Sequence, residues 1–309
     1  MRLLPVLLLV LSTGCASTLS TMQTARPLAK GQLQFNAGYG LYLPVGQIVD
    51  VVDTAIDLGA EAKDAVEEDR PYELSEQAQQ ELLTAGAALA VAPPGFNPEF
   101  MVRVGVLDEV DVGLRYSGIS LRGDFKVRLA HGGDAPASGW VPRGQRSFDV
   151  ALGAAISRHF FDSPVLDVLE VVEMGEFSRY DIEIPLYLSA DWSDIFKLYG
   201  TPKYVYSHTK FDAKLVNFAS QGKPVTGFDA SLPGSVSSHF VGSTVGIGVG
   251  YKYVHLFAEV TGGYLFCKPQ LFGTTRNLGG VTLYPALGLA VRTGGPEAKA
   301  RGGQGQVDL

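Results

Sequence analysis

The sequence predicts an all-β fold, an antiparallel transmembrane β-barrel of about ten strands (8–12) with one helical insertion. Three observations predict it. Apolar and polar residues alternate with period two in about ten separate segments, the pattern of strands that keep one apolar face. Glycines crowd the polar face of these segments, at Gly38, Gly40, Gly105, Gly113, Gly153, Gly246, Gly248, Gly250, Gly263 and Gly288. On a solvated face glycine only weakens a strand; inside a narrow barrel it makes room for long side chains from the opposite wall. Tyr116, Trp192, Tyr206, Tyr251 and Tyr264 fall near strand ends on the apolar side, where a membrane barrel carries its aromatic girdles.

In chain order, the first strand runs from Gly31 to Leu43, with Leu33, Phe35, Ala37, Tyr39 and Leu41 alternating with Gln32, Gln34, Asn36, Gly38 and Gly40. Residues 100–106 and 110–116 follow as a hairpin about the turn Leu107-Asp108-Glu109, and 119–129 sets Leu121, Phe125 and Val127 against Arg122, Asp124 and Lys126. Further strands read as 147–160, 180–192, 195–210, 238–251, 254–266 and 281–293. Most are near or above the roughly 9 to 11 residues that a tilted membrane strand needs. Pro185, Pro202 and Pro285 fall inside predicted strands and call for bulges or trimmed boundaries, because proline lacks the N–H of a ladder bond. Residues 45–92 carry helical spacing (Ile48, Val52, Ala55, then Leu74, Ala78, Leu82, Leu89) split by Pro71, an insertion expected to cap or plug the extracellular mouth. A short helix is expected at 163–175, and the Gly-rich tail 294–309 is expected to be disordered.

The opening MRLLPVLLLVLSTGC places Arg2 before an apolar stretch from Leu3 to Leu11, then Ser12, Thr13, Gly14 and Cys15. It resembles the signal and lipobox of bacterial lipoprotein precursors, with Ser12 where that family carries Leu. The resemblance implies a signal peptide over 1–14, lipidation (diacylglyceryl, palmitate) at Cys15 and, because Ala16 rather than Asp follows, sorting to the Gram-negative outer membrane. Residues 15–30 then read as a polar tether from a periplasmic anchor to a barrel over 31–293. After Leu11 there is no run of about 18 apolar residues for a transmembrane helix, so any crossing must be by a closed barrel. Without Arg2 the chain has 24 of its 25 Lys and Arg against 32 Asp and Glu, a net charge of −8, which disfavours nucleic acid as a partner. With Cys15 acylated, Cys267 has no partner for an internal disulfide and is expected to be inert.

Alternation alone suits a soluble β-sandwich or a lipocalin-like barrel equally well. Connection lengths separate them: 107–109, Ser193-Asp194 and Lys252-Tyr253 are short, and 44–99, 161–179, 211–237 and 267–280 are long. Two connections break the rule, a long one at 131–146 and a tight one at 117–118. The run VGVLDEVDVGLRYSG, Val104 to Gly118, resembles a periplasmic hairpin of bacterial outer-membrane β-barrels. That resemblance implies short turns in the periplasm and long loops outside. The chain departs from that family in ending on a polar tail instead of a final strand with a C-terminal aromatic.

The polar face carries Arg103, Arg115, Arg122, Lys126 and Arg128 on the second to fourth strands, and Asp149, Asp181, Glu183 and Asp191 on the fifth and sixth; Asp111, Asp124, Glu259 and Arg292 share it. A basic wall facing an acidic one would set a field across a water-filled pore. Barrels of about eight strands are filled by side chains and open channels need about 16 to 18, so the charges are expected to meet as ion pairs that close the lumen. None of His131, His159, His208, His239 and His255 stands in the His-x-Ser of outer-membrane phospholipases and lipid A deacylases or in the Asp-x-His of proteases resembling omptins. No enzyme activity and no cofactor are expected. Asp50, Asp53 and Asp57 share one helical face, expected to be solvated instead of metal-binding. The function expected is a structural or accessory envelope component, binding outer-membrane lipid, lipopolysaccharide or other envelope proteins through its long loops. A narrow channel for small solutes and a soluble periplasm-facing lipoprotein are the alternatives.

Overall fold

The computed structural model describes residues 18–67, 76–160, 172–215, 219–220, 223–224, 234–271 and 273–294. Ten strands form one closed barrel: β1 (Leu33–Tyr42), β2 (Gly95–Leu107), β3 (Val110–Tyr116), β4 (Ser120–Gly133), β5 (Arg146–Phe160), β6 (Val172–Trp192), β7 (Phe196–Leu215), β8 (Ser235–Tyr251), β9 (Val254–Phe266) and β10 (Gly280–Arg292). Each pairs antiparallel with the next, and β10 returns to β1 in register from Gln34↔Arg292 to Gly40↔Ala286. The closed meander leaves no strand edge unpaired.

Period two sorts the side chains by solvent, and the sort is inverted relative to a water-soluble protein. Arg103 and Arg115 are 1% and 2% exposed, whereas Ile156, Val245 and Leu287 are 60–62% exposed. Charged residues are almost never fully buried, and apolar belts of this extent do not face water. The arrangement is stable where hydrocarbon surrounds the wall and the polar lining is sealed inside it. The soluble alternative fails on this point.

The three prolines stay within their strands without shifting register. Pairing of β5 with β6 lapses between Leu152↔Leu186 and Ala155↔Glu183, beside Pro185, and that of β6 with β7 lapses between Pro185↔Lys203 and Leu188↔Gly200, beside Pro202. Pro285 pairs only with Val260 of β9, beyond the last rung shared with β1. Each proline therefore costs rungs to one neighbour, and the expected bulges and trimmed boundaries are not needed.

Two helices, α1 (Val45–Glu67) and α2 (Glu76–Val91), lie between β1 and β2. Ala87, Ala88 and Val91 pack with Tyr42, Phe240, Leu265 and Leu278 in one buried cluster, which places the end of α2 across the long-loop mouth. At the start of α1 the buried Gln47 amide donates to the Leu278 carbonyl at 3.2 Å. Asp50, Asp53 and Asp57 face outward on α1. The short helix expected at 163–175 lies largely outside the described residues, and from Val172 the chain is already strand β6. The signal peptide, Cys15 and all but the first residue of the tail also lie outside them.

Candidate functional site

The lumen is filled by the chain's own N-terminal segment. Residues 19 to 28 are all buried, from Leu19 at 4% exposure through Ser20 and Ala25 at 0% to Leu28 at 3%. Thr18 and Leu19 lie beside Ser120, His159, Phe240 and Leu265, at the long-loop ends of their strands. At the other mouth Lys30 bridges to Gly105, next to the β2–β3 turn. Gly31 then adopts φ +78° and reverses the chain into β1, a conformation that glycine takes without steric cost. A Cβ at Gly105 would stand 2.1 Å from the Ala29 carbonyl oxygen, so only glycine lets the segment pass there. The solvated tether expected over 15–30 is thus corrected for its described part: it crosses the barrel, and Thr18 and β1's first residue sit at opposite mouths.

An extended segment has no ladder partners of its own, so every buried N–H and C=O needs a side chain or water. Charged and polar lumen side chains supply many of them. Arg115 donates to the carbonyls of Ser20 (2.7 Å) and Thr21 (2.9 Å), and Lys203 and Thr261 donate to that of Leu19. Glu259 accepts from the N–H groups of Thr21 (2.6 Å) and Met22 (2.7 Å), and Asn36 donates to the Met22 carbonyl (2.7 Å). Lys126 donates to Thr24 (2.8 Å) and Asp111 accepts from Leu28 (3.2 Å).

Arg26 ends this run in a clasp. Its guanidinium donates to the carbonyls of Gly139 (2.8 Å), Pro136 (2.6 Å), Ser138 and Trp140 (both 3.2 Å), and to Ser147 Oγ (2.7 Å). Asp149 stands 3.5 Å away and also takes His131 Nδ1 at 2.8 Å. The connection after β4, anomalously long for the short-turn end, is therefore the piece that folds over the buried arginine.

The remaining charges pair in a chain along the wall. Arg103 bonds both Asp111 and Asp124, and Lys126 reaches Asp111 at 3.3 Å. Arg103 pairs in register with Gly113, which pairs with Asp124, and a Cβ at Gly113 would lie 2.6 Å from Arg103 Nη1. The missing side chain lets arginine cross one strand to the carboxylate beyond. Arg122 bonds Glu183, with Lys203 at 3.9 Å from the same carboxylate. Arg115 meets Glu99 at 3.2 Å, and Asp181 takes Arg179 and His159, both at 2.8 Å. Lys197 lies 3.8 Å from Asp191 and bonds Asp194; Arg292 lies 3.7 Å from Asp194 and donates to Gln34 at 2.7 Å.

The pairs form between neighbouring strands more than across the bore, which corrects the picture of two facing walls. Arg128 also departs from expectation: the register shifts between Arg128 and Ala130, and its guanidinium binds Glu109 (3.2 Å) and the Ala137 carbonyl at the rim. Sequence reasoning missed Arg26, Glu99, Arg179, Asp194, Lys197 and Lys203. Lys197 and Lys203 were readable, because they alternate with Leu198, Gly200 and Pro202 in the same period as the rest. Glu99 lay one residue before the predicted strand start at Phe100.

Beside Thr18 a cavity of about 20 Å³ is left, lined by Arg122, His159, Arg179 and Asp181 among others, room for about one water. Outside the strands, burial raises the Cys267 thiol pKa to about 11, and the group is 1% exposed, an unreactive state for a thiol.

No family model and no curated protein matches this chain. Among solved structures, Neisserial surface protein A overlaps with a TM-score of 0.33 at 11% identity, covering 84% of this chain and 95% of its own. The attachment invasion locus protein Ail of Yersinia pestis overlaps at 0.28 and 13% identity, covering 85% and 99%. The outer membrane protease OmpT from Escherichia coli overlaps at 0.31 and 9% identity, covering 85% and 94%. The reading of this barrel rests on its own closure and its own inverted burial.

Proposed function

We propose that this protein is an outer-membrane barrel kept closed by its own N-terminal segment, a structural or accessory envelope component and not a channel. One observation carries the reading: Leu19 to Leu28 occupy the bore, and both wall charges and wall hydroxyls are committed to their backbone. The long-loop mouth is the outer one by the usual asymmetry of such barrels, and the α1–α2 insertion is what it presents to partners.

Lipidation of Cys15 belongs to this reading. Only Ala16 and Ser17 separate Cys15 from Thr18, a reach of about 11 Å over three Cα steps at full extension. An acyl anchor so close to the long-loop mouth would hold the segment from the outer side while β1 holds it from the inner side. The sequence-based expectation had the anchor in the periplasm; the path through the lumen favours the opposite face.

Planar-bilayer recording on the full-length protein tests closure. The expected trace is flat; a stable, step-like unitary current from the native chain would overturn the closed reading in favour of the narrow channel. The mass of the N-terminal peptide tests the anchor, since an unacylated Cys15 in protein from native membranes would remove it without touching the plug.

A further inference from the structure

The outer wall is apolar almost everywhere, so polar groups on it mark places where something other than hydrocarbon is met. One such place lies at the long-loop ends of β5 and β8. Arg158, Tyr180, His208 and Ser237 pair in register across β5, β6, β7 and β8 and all point outward, with only His208 part-buried. His208 Nδ1 lies 3.1 Å from Ser237 Oγ, and the Tyr180 ring stands 5.3 Å from the imidazole. Tyr206 Oη is also 3.1 Å from Ser237 Oγ, and Tyr204 Oη is 2.6 Å from His239 Nδ1. The next row toward the loops is Phe160, Ser178, Lys210 and Ser235. Neither row holds a carboxylate.

The row continues round the barrel as Leu121, Tyr116 and Phe100 on β4, β3 and β2. The polar patch is therefore confined to one sector and is not a general rim. Its height fits a headgroup: Phe196 marks the short-turn edge of β7, and twelve residues to His208 span about 40 Å of strand, or about 30 Å once tilted. That is just past an apolar band about 25 Å tall.

We infer that this sector binds a phosphorylated glycolipid of the outer leaflet, with the sugar phosphates on Arg158 and Lys210 and the acyl chains on the apolar wall below. Two cations with exposed side chains, in two rows that hold no carboxylate, complement anionic groups. They flank the aromatic and imidazole cluster instead of converging: Arg158 turns back over the Phe160 ring at 5.9 Å, and its backbone is about 10–12 Å from that of Lys210 on strand spacing. Two phosphates on one saccharide headgroup match that spacing better than a single phosphodiester does. Tyr180, Tyr204 and Tyr206 offer ring faces and hydroxyls to the sugar between them. The inference rests on the outer-membrane reading and names a partner for it.

The test incubates full-length protein in detergent with bisphosphorylated lipid A, its dephosphorylated form or phosphatidylglycerol, and reads retained lipid by native mass spectrometry. Native protein should retain the bisphosphorylated form preferentially. The double variant R158A/K210A should retain at least about tenfold less, since charge-assisted hydrogen bonds to phosphate are lost, while K252A at the other mouth should behave as native. Heat-dependent gel mobility verifies that each variant is folded. Equal retention of phosphatidylglycerol, no phosphate dependence, or an unaffected double variant would each overturn the inference. Absence of the protein from outer-membrane fractions would instead overturn the reading on which it rests.

Discussion

The two sides of the lumen hold the same segment by different physics. From β2 to β6 the wall is charged, and it grips the segment through guanidinium, ammonium and carboxylate groups aimed at its backbone. From β8 through β10 to β1 the wall is largely glycine, alanine and aromatic rings, with Glu259 the main charge on the backbone, and it accommodates the segment by shape. Met22 shows this: a Cβ at Gly38 would lie 2.7 Å from Met22 Cε, and one at Gly288 would lie 2.5 Å from its Sδ. The charged side can fail only by leaving charges unpaired, at high cost, whereas the glycine side fails by crowding, at moderate cost.

The largest effect should therefore come from the charged side. Arg103→Ala strands Asp124 and removes one of two cations from Asp111, both fully buried. Breaking a buried pair from one side costs about 3–5 kcal/mol. The urea midpoint for loss of folded gel mobility should fall accordingly, and an unchanged midpoint would show that water, not Arg103, solvates those carboxylates.

A smaller effect is expected on the glycine side. Gly288→Ala brings a methyl against Met22 and should cost about 1–3 kcal/mol as overpacking. Because the obstacle is a flexible side chain, with the Ala37 carbonyl oxygen next at 3.2 Å, Met22→Ala in the same chain should restore most of the loss. A double-mutant cycle with no coupling would mean that Met22 does not occupy the space between Gly38 and Gly288.

This contrast explains how far the sequence could be read. Strand positions, the inward face and the need for small residues on it follow from period two, and Gly38, Gly246 and Gly288 stand on the lumen face as the alternation placed them. The plug was not legible, because ASTLSTMQTARPLAK has no periodicity and its polar, small composition is equally that of a tether. Its partners lie far along the chain, Arg26 with Gly139 and Ser147, Thr21 with Glu259, and no local pattern reports contacts of that separation. The long 131–146 connection was the visible trace of it, an exception whose cause is the arginine it covers.

The finest test lies where charge serves the glycine side, in the β6–β7 turn. Asp194 bonds Lys197 and stands 3.6 Å from His255 and 3.7 Å from Arg292, tying β7, β9 and β10 together at the short-turn mouth. Burial pushes its carboxyl pKa up, but the charges of Lys197 and Arg292 outweigh that, and the net shift is downward. A carboxyl with a lowered folded pKa stabilises the fold above its unfolded value of about 3.9, and that contribution is lost as pH falls below it through the folded value. The contribution of Asp194 to the urea midpoint should thus be level between about pH 7 and pH 5 and be lost below about pH 4. Asp194→Asn should lower the midpoint at neutral pH, because buried Lys197 and Arg292 lose a shared carboxylate, and should make the acid drop shallower, because one of the groups that must be protonated is gone. Parallel acid profiles for the two chains would mean that Asp194 titrates as it does when unfolded, and that its ties to Lys197 and Arg292 do not hold the mouth.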